Sequence, residues 1–267
     1  MVLTALLDII ASSRLYDLIG SSTWLAARSP FMGQCKRTPG GFLPLEMIYD
    51  NQPVGDSILE RWTDRYYLQG ALARAARVRL RQATIWLRQQ VEIRAADQGE
   101  VEVLSLASGG ARDAIEVMAD VRWRDRMAYV GVDIAPEAVT YAQNRAATVG
   151  LNGNFHVEVG NALRPPLSWR ARFGIVTSLG LFDYLDDRLA LALINRVYTL
   201  LHPGGAFLFG MVTSNPNQRF FEEYLNWRMH YRSPEHILGL AASSRFQHVR
   251  PVSQPDDYFF LVECQRG

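Results

Sequence analysis

The chain has 267 residues, of which 48% are hydrophobic, enough to bury the core of one large domain or two small ones. It carries 28 basic and 27 acidic residues, which gives a formal net charge of +1. This charge excludes a strong overall electrostatic field that would attract nucleic acid or an anionic membrane. We therefore expect a small-molecule partner, without membrane binding.

The first part of the chain, residues 1–97, is predicted to be a helical N-terminal extension. Its opening run "MVLTALLDIIASSRLYDLIG" is interpreted as an amphipathic helix, because Asp8 and Arg14 interrupt it before it reaches membrane-spanning length. We expect neither a signal peptide nor an anchor there. From Ile58 to Ala96, apolar residues recur near helix spacing among many arginines.

The two cysteines, Cys35 and Cys264, lie at opposite ends of the sequence and fit neither a disulfide framework nor a metal-ligand spacing. No HxxxH, HxH or clustered carboxylate pattern is present. We therefore predict no metal site, and a reducing cytoplasm as the location.

From residue 98 onwards, short β-rich runs alternate with helical runs, beginning with "VEVLSL", "ARDAIEVMADV" and "MAYVGVD". That alternation is typical of βαβ units on a parallel sheet. The last two runs, "FQHVRPVS" and "YFFLVECQ", have little between them, which predicts a hairpin with an antiparallel terminal strand. Residues 98–267 are therefore predicted to form a doubly wound α/β domain around a mostly parallel sheet.

The turn after the first predicted strand is made of small residues, in the segment "VLSLASGGARDAIE" at 103–116. Small residues let a ligand approach the backbone, and free N–H groups at a helix start favour an anion or a carboxylate. This pattern indicates a binding site for a small polar ligand. A tight strand-to-helix connection without a ligand is the alternative.

Two further predicted strands end in polar residues at the same edge of the sheet. Asp133 ends "YVGVD", where an acidic residue can bind the hydroxyls of a ribose, although it could also cap the next helix. Asn161 follows "FHVEV" within "GNA", and its amide could pair with an adenine, although Gly-Asn is also a common turn. Three successive strand ends therefore suit an adenosine-shaped ligand.

These segments together resemble the class I S-adenosylmethionine-dependent methyltransferases over residues of about 98–264. "LSLASGGAR" is similar to the glycine signature of the family, Asp133 to its acidic second-strand end, and "GNA" to its third-strand "GDA". "LLHPGGAFLF" at 200–209 resembles the usual "LxPGG". The resemblance implies a Rossmann-like, seven-stranded, doubly wound sheet with S-adenosyl-L-methionine as the cofactor and S-adenosyl-L-homocysteine as the product.

The chain departs from the family pattern at the turn, because Ser105 replaces an acidic residue, and Ala107 and Ala111 replace glycines. An alanine held at positive φ would cost about 1 kcal/mol or more. Asp113 could bind the amine of the cofactor, with first-turn capping as its alternative role. The cofactor-binding residues implied by the resemblance are Ser105, Ala107, Ser108, Gly109, Asp113, Asp133, Ile134, Asn161, Ala162 and Ser178.

Candidates for catalysis follow the fourth and fifth predicted strands. Methyl transfer to a hydroxyl or amine requires a base, and we predict His230, with Tyr184 or Tyr231 next. An exposed histidine without a catalytic role is the alternative. The aromatic residues of "FFEEYLNWRMHYR" recur near helix spacing, which favours core packing for most of them. The predicted substrate-binding residues are Trp227 and Arg232 here, and Tyr66, Tyr67 and Arg74 in the extension.

The segment "RWTDRYYLQGALARAARVRL" at 61–80 is predicted to be a lid over the substrate, since additions before the first strand commonly cap the site in this superfamily. A helix packed on the sheet with its arginines in solvent is the alternative. An RNA substrate is left as an alternative, because the arginines near 61–94 could form a local basic patch that binds phosphates.

We predict a methyltransferase that acts on the oxygen, nitrogen or carbon of a small molecule. A dinucleotide-binding reductase is disfavoured because "ASGGAR" lacks the pattern GxGxxG. Two rivals keep the same fold: an enzyme that uses the sulfonium for cyclisation or elimination, and a non-catalytic cofactor-binding partner subunit. A homodimer is also left open.

Overall fold

The computed structural model describes residues 22–151, 153–254 and 258–267. The amphipathic helix predicted for the first 20 residues lies outside this part of the chain. The structure divides into two units: the described part of Met1–Val78 with Ser214–Met229, and Arg79–Thr213 with His230–Gly267. The predicted boundary between residues 97 and 98 stays a prediction.

The first unit is helical, and polar caps set where its helices begin. Ser29 accepts a hydrogen bond from the Met32 amide at 3.1 Å, with Pro30 at the first helical position. Ser57 and Glu60 form a reciprocal capping box. The helices are α1 (Thr23–Ala26), α2 (Pro30–Arg37), α3 (Phe42–Asp50), α4 (Ile58–Leu68) and α10 (Gln218–Glu223), and α5 (Ala71–Gln98) begins here and ends in the second unit.

The second unit is built on a seven-stranded sheet. Its strands are β1 (Val101–Leu106), β2 (Met127–Asp133), β3 (Phe155–Val159), β4 (Phe173–Ser178), β5 (Leu201–Val212), β6 (His248–Pro251) and β7 (Phe259–Gln265). The spatial order is β3-β2-β1-β4-β5-β7-β6, and β7 is antiparallel to both of its neighbours. The predicted Rossmann-like sheet with an antiparallel terminal strand is confirmed.

Helices and two short 3₁₀ turns connect these strands, as expected for crossovers between parallel strands. They are α6 (Arg112–Met118), α7 (Val121–Arg124), α8 (Pro136–Thr148), the 3₁₀ turns Leu167–Trp169 and Phe182–Tyr184, α9 (Asp187–Leu200) and α11 (Pro234–Ala242). The sheet interior is apolar, and every residue of β4 is buried. The carboxyl ends of β1, β2, β3 and β4 lie at one edge, since these strands are parallel neighbours.

After β5, the helix-like spacing of aromatic residues extends further along the chain than the helix itself. Only Gln218–Glu223 is helical, and Asn226 adopts the left-handed conformation with φ of 52°, which a continuing α-helix does not allow. Phe220 and Trp227 are 7% and 6% exposed, which supports the core-packing interpretation for these two residues.

Candidate functional site at the strand ends

The turn after β1 follows a left-handed path at three alternate positions. Ala107, Gly109 and Ala111 have φ values of 55°, 53° and 51°. Glycine adopts this conformation freely, whereas alanine pays for the approach of its Cβ to the backbone. The chain therefore keeps a glycine-type turn while carrying two alanines in it.

Asp133 connects the ends of three strands. Its Oδ2 accepts a hydrogen bond from the Gly109 amide at 2.7 Å, and its backbone oxygen accepts one from the Gly160 amide at 2.9 Å. Its Oδ1 accepts from the amide of Ala135, the N-cap residue of α8, at 3.0 Å. Asp133 therefore supports the start of the next helix, the alternative role considered for it, in a position that also gathers the ends of β1, β2 and β3.

Residues beside Asp133 offer both apolar and polar surface. Ile134 is 75% exposed, which is unusual for a large aliphatic side chain next to a buried strand. Asn161 is exposed, and its Oδ1 accepts a hydrogen bond from the Leu163 amide at 2.9 Å, so it makes the turn considered for it. Ala162 is 8% exposed.

Polar side chains also lie beneath the turn. Ser105 and Asp113 are each 5% exposed, and Tyr129 of β2 is 1% exposed. Burial, together with the charge of Asp113, raises the pKa of the Tyr129 phenol well above its usual range, although the Ser105 and Ser108 hydroxyls oppose this shift. Sequence reasoning missed Tyr129, which resembles an ordinary core aromatic within "MAYVGVD".

The end of β4 is tied to β1 and then turns sharply. The buried Ser178 hydroxyl donates to the Leu106 carbonyl at 3.0 Å, so this predicted cofactor residue links two strands. The 3₁₀ turn Phe182–Tyr184 follows, with Tyr184 40% exposed and Asp183 3% exposed. Burial raises the pKa of Asp183 to about 6, against the opposing charges of Arg79 and Arg232 and a hydrogen bond from the Val212 amide.

His230 and Tyr184 belong to segments that meet at this turn. The His230 amide donates to the Asp183 carbonyl at 2.7 Å, so it is bonded to the residue directly before Tyr184. The Asp183 carboxylate accepts from the Val212 amide at 2.6 Å, which fixes the same turn to the end of β5. The structure thus brings together the backbones that carry two of the predicted base candidates.

Tyr231 and Arg232 follow His230 and are more enclosed than it is. His230 is exposed, Tyr231 is half-buried and Arg232 is 6% exposed. The guanidinium of Arg232 donates to Asp187 Oδ1 at 2.9 Å and to the carbonyls of Phe182, Leu185 and His230. These contacts favour a structural role for Arg232, which holds the turn after β4.

The other predicted substrate residues belong to the first unit. Tyr66 and Tyr67 are each 5% exposed, and the Tyr67 hydroxyl donates to the Ser22 carbonyl at 2.8 Å. Arg74 is exposed and donates to the Gln69 carbonyl, while Trp227 packs against Phe221. Their predicted contact with a substrate stays a prediction.

Residues 22–151, 153–254 and 258–267 contain neither a cluster of metal-binding side chains nor a membrane-spanning helix. Within these ranges, no three His, Cys, Asp or Glu side chains are grouped closely enough to hold a metal ion. No helix in that part of the chain combines the length and apolar character needed to cross a bilayer.

The central part of the chain is similar to a known protein family. Residues 103–205 match a family model described as a methyltransferase domain, and this range contains the turn, Asp133, Asn161 and the end of β4. The uncharacterised protein YnbC of Escherichia coli K12 is 26% identical over 220 residues. The alignment covers 76% of this chain and 36% of YnbC, so the chain spans about a third of the length of that curated relative.

Two solved structures share the fold. A possible exported protein from Bordetella parapertussis has a TM-score of 0.74 at 19% identity, covering 98% of this chain and 96% of that one. Magnesium protoporphyrin IX methyltransferase from Synechocystis PCC 6803, solved with bound SAH, has a TM-score of 0.55 at 14% identity, covering 73% and 87%. The sheet order and the family match agree: residues 103–205 match a methyltransferase domain, within a Rossmann-like seven-stranded fold.

Proposed function

We propose that the protein transfers a methyl group from S-adenosylmethionine to a small organic acceptor. The observation that carries this proposal is the pair of hydrogen bonds by which Asp133 binds the Gly109 and Gly160 amides. These bonds hold the turn after β1, the Asp133 carboxylate and the loop that carries Asn161 at one edge of the sheet. Such an arrangement suits an adenosine that carries a charged amino-acid tail.

The residues present fit this cofactor. Ala107 and Ala111 adopt positive φ without being glycine, so the turn keeps the path along which a ligand can approach the backbone. Asp133 would bind the ribose hydroxyls, exposed Ile134 would contact the adenine face, and Asn161 with Ala162 would lie at its edge. When bound, the sulfonium supplies an electrophilic methyl group, which leaves as S-adenosylhomocysteine forms.

The chain would align the acceptor and remove its proton. His230 is our proposed base because it is exposed and its backbone is bonded to the turn that carries Tyr184, with Tyr184 and Tyr231 as the next candidates. Tyr66, Tyr67, Arg74 and Trp227 are retained as proposed substrate contacts. Arg232 is the weakest of that set, because its guanidinium is already bonded to neighbouring groups.

Calorimetric titration with S-adenosylmethionine, S-adenosylhomocysteine and NADH tests the cofactor. We expect submillimolar binding of the two adenosyl compounds and none of NADH. Asp133→Ala should weaken their binding by about 1–3 kcal/mol, since a charge-assisted hydrogen bond is lost. Asp125→Ala, an exposed residue just before the other end of β2, is the matched control and should bind as the wild type does. Binding of NADH alone would refute the proposal.

A screen of small acceptors with methyl-labelled cofactor tests transfer. Label in the acceptor supports transfer, whereas a rearranged acceptor without label indicates sulfonium-promoted cyclisation or elimination. Cofactor binding without turnover of any acceptor would favour a non-catalytic partner subunit, the role that the altered turn residues also suit. His230→Ala should abolish turnover and preserve cofactor affinity, and full activity would remove His230 from the mechanism.

The remaining proposals concern surroundings and partners. A cytoplasmic location is supported by two buried free cysteines, Cys35 and Cys264, and fractionation of the native host tests it. An acceptor other than nucleic acid is supported by the net charge of +1, and a filter-binding assay with RNA tests it. Light scattering in solution distinguishes a monomer from the homodimer left open by the sequence.

A further inference from the structure

A small cleft lies between the 3₁₀ turn before β4 and the last turns of α9. Its volume is about 170 Å³, and it is lined by Leu167, Arg170, Arg196, Thr199 and Leu200. We propose that this cleft binds a small organic carboxylate with an apolar body, at a site separate from the one assigned to the cofactor.

The cleft lies beside the amino ends of two parallel strands. Phe173, the first residue of β4, pairs with Leu201, the first residue of β5, and the lining residues lie just before these two in sequence. The six residues of β4 cover about 17 Å, at about 3.3 Å per residue. A ligand in the cleft is therefore separated by the length of β4 from the proposed cofactor, and the two proposals stand independently.

Backbone hydrogen bonds fix one wall of the cleft to α9. The Ala171 amide donates to the Thr199 carbonyl at 2.9 Å. The Arg172 amide donates to the Leu200 carbonyl at the same distance. These two bonds hold the backbone of Arg170, the residue before them, beside the last turn of the helix.

The other wall is held by a proline pair and an aromatic contact. Arg196 Nη2 donates to the Pro165 carbonyl at 3.1 Å, and the fixed φ of Pro165 and Pro166 limits the motion of this loop. Trp169 ends the 3₁₀ turn, is 8% exposed, and packs edge-to-face on Phe173 with ring centroids 5.5 Å apart. The cleft is therefore formed by the fold itself, so binding costs little ordering of the protein.

The surroundings of the cleft are positively charged. Residues 160–174 and 188–205 contain five arginines and no aspartate or glutamate, although the whole chain has a net charge of only +1. In the part of the chain that the structure describes, no carboxylate pairs with Arg170 or Arg196. Two guanidinium groups at one cleft favour an anion, and their planar arrangement of donors matches a carboxylate.

A structural role explains the neighbouring arginines but not these two. Cations near a helix C-terminus are stabilising, and Arg266 fills that role because its Nη1 donates to a carbonyl in the last turn of α9 at 3.1 Å. Arg172 is paired with Glu102 at 2.7 Å. Arg170 is exposed, and the guanidinium of Arg196 makes a single bond to the protein. Both therefore keep donors for a ligand.

The cleft also offers apolar surface of about the size of one ring. Leu167 is 80% exposed, and an apolar ligand that covers it would remove this surface from water. The volume of about 170 Å³ is close to that of an engineered cavity of about 150 Å³ that binds benzene. A carboxylate on a ring-sized apolar body, such as benzoate, therefore matches both the charge and the size of the cleft.

Ligand-observed NMR on the full chain tests this proposal, with benzoate as the probe and benzamide as its neutral counterpart of the same shape. Benzoate should bind about fivefold or more tightly than benzamide, because only benzoate forms charge-assisted bonds to the guanidinium groups. Arg170→Gln and Arg196→Gln should each weaken benzoate binding about 5- to 20-fold. Arg188→Gln is the matched control, since Arg188 is exposed at the other end of α9, and should change it by less than about twofold.

Arg170→Gln decides the test even if Arg196→Gln fails to fold, because Arg170 is exposed and its substitution should leave the urea midpoint unchanged. Saturating S-adenosylhomocysteine should not displace benzoate. Absence of benzoate binding, equal affinity in Arg170→Gln and the wild type, equal binding of benzamide, or displacement by S-adenosylhomocysteine would each overturn the proposal. If benzoate binds here and neither adenosyl compound binds the protein, the proposed function fails while this inference stands.

Discussion

Two alanines in the turn after β1 are strained, and their replacement by glycine gives a quantitative test. An L-residue in the left-handed region costs about 1–2 kcal/mol, and glycine costs about 0.5–1 kcal/mol more than alanine in lost backbone entropy. Ala107→Gly, at φ of 55° and half-buried, should therefore stabilise the protein by about 0.5–1 kcal/mol. Ala111→Gly also loses a methyl group that is 1% exposed, worth about 0.8 kcal/mol, so its net effect should be close to zero.

Urea unfolding at constant m-value measures these differences. Ala171→Gly is the matched control, because Ala171 has φ of 52° but is exposed and lies before β4, away from the turn. It should stabilise the protein as much as Ala107→Gly does. If Ala171→Gly stabilises the protein and Ala107→Gly destabilises it by more than about 0.5 kcal/mol, then backbone strain does not determine the energetics of this turn.

Two buried carboxylates give further predictions. Because the pKa of Asp183 rises from 3.8 to about 6 on folding, the folded state holds a proton that the unfolded chain releases. This stabilisation is complete below about pH 4 and lost as the pH rises through 6, so the wild type should lose about 3 kcal/mol relative to Asp183→Asn between pH 4 and 7. A difference that stays constant with pH would contradict this. Asp64 is fully buried and accepts hydrogen bonds from the Ser29 hydroxyl and three backbone amides at 2.6–3.0 Å. Asp64→Asn turns an amide NH₂ toward those donors and should cost about 3 kcal/mol in urea unfolding, whereas a loss below about 1 kcal/mol would show that water replaces the contacts.

The sheet could be predicted because its signals are local. Runs such as "VEVLSL" and "FGIVTS" are short and rich in β-branched residues, and the small residues "ASGG" directly follow the first one. The ends of β1, β2 and β3 could be placed together because parallel strands end at one edge. The strained backbone at Ala107 and Ala111 also followed as a conditional expectation, and the structure supplies the positive φ that the condition required.

The parts that sequence did not predict depend on contacts between distant residues. Asp183 reaches the Val212 amide across 29 positions, and nothing in "GLFDYLDD" indicates which of its acidic residues is buried. The meeting of His230 with the turn before Tyr184 likewise depends on one backbone hydrogen bond between separate segments. After Glu223 the aromatic spacing continues while the helix stops, because tertiary packing and the left-handed Asn226 override the periodic pattern.

The first unit is assembled from two segments that are far apart in the chain. Tyr67, from α4, stacks on Phe220, from α10, with ring centroids 6.2 Å apart and planes 6° from parallel. A ribosome must therefore translate past residue 229 before this unit can close its aromatic core, by which time five of the seven sheet strands have already been synthesised. A fragment that ends before Ser214 lacks half of that stack, so limited proteolysis of nascent-chain fragments should find residues 22–78 protected only when Ser214–Met229 is present.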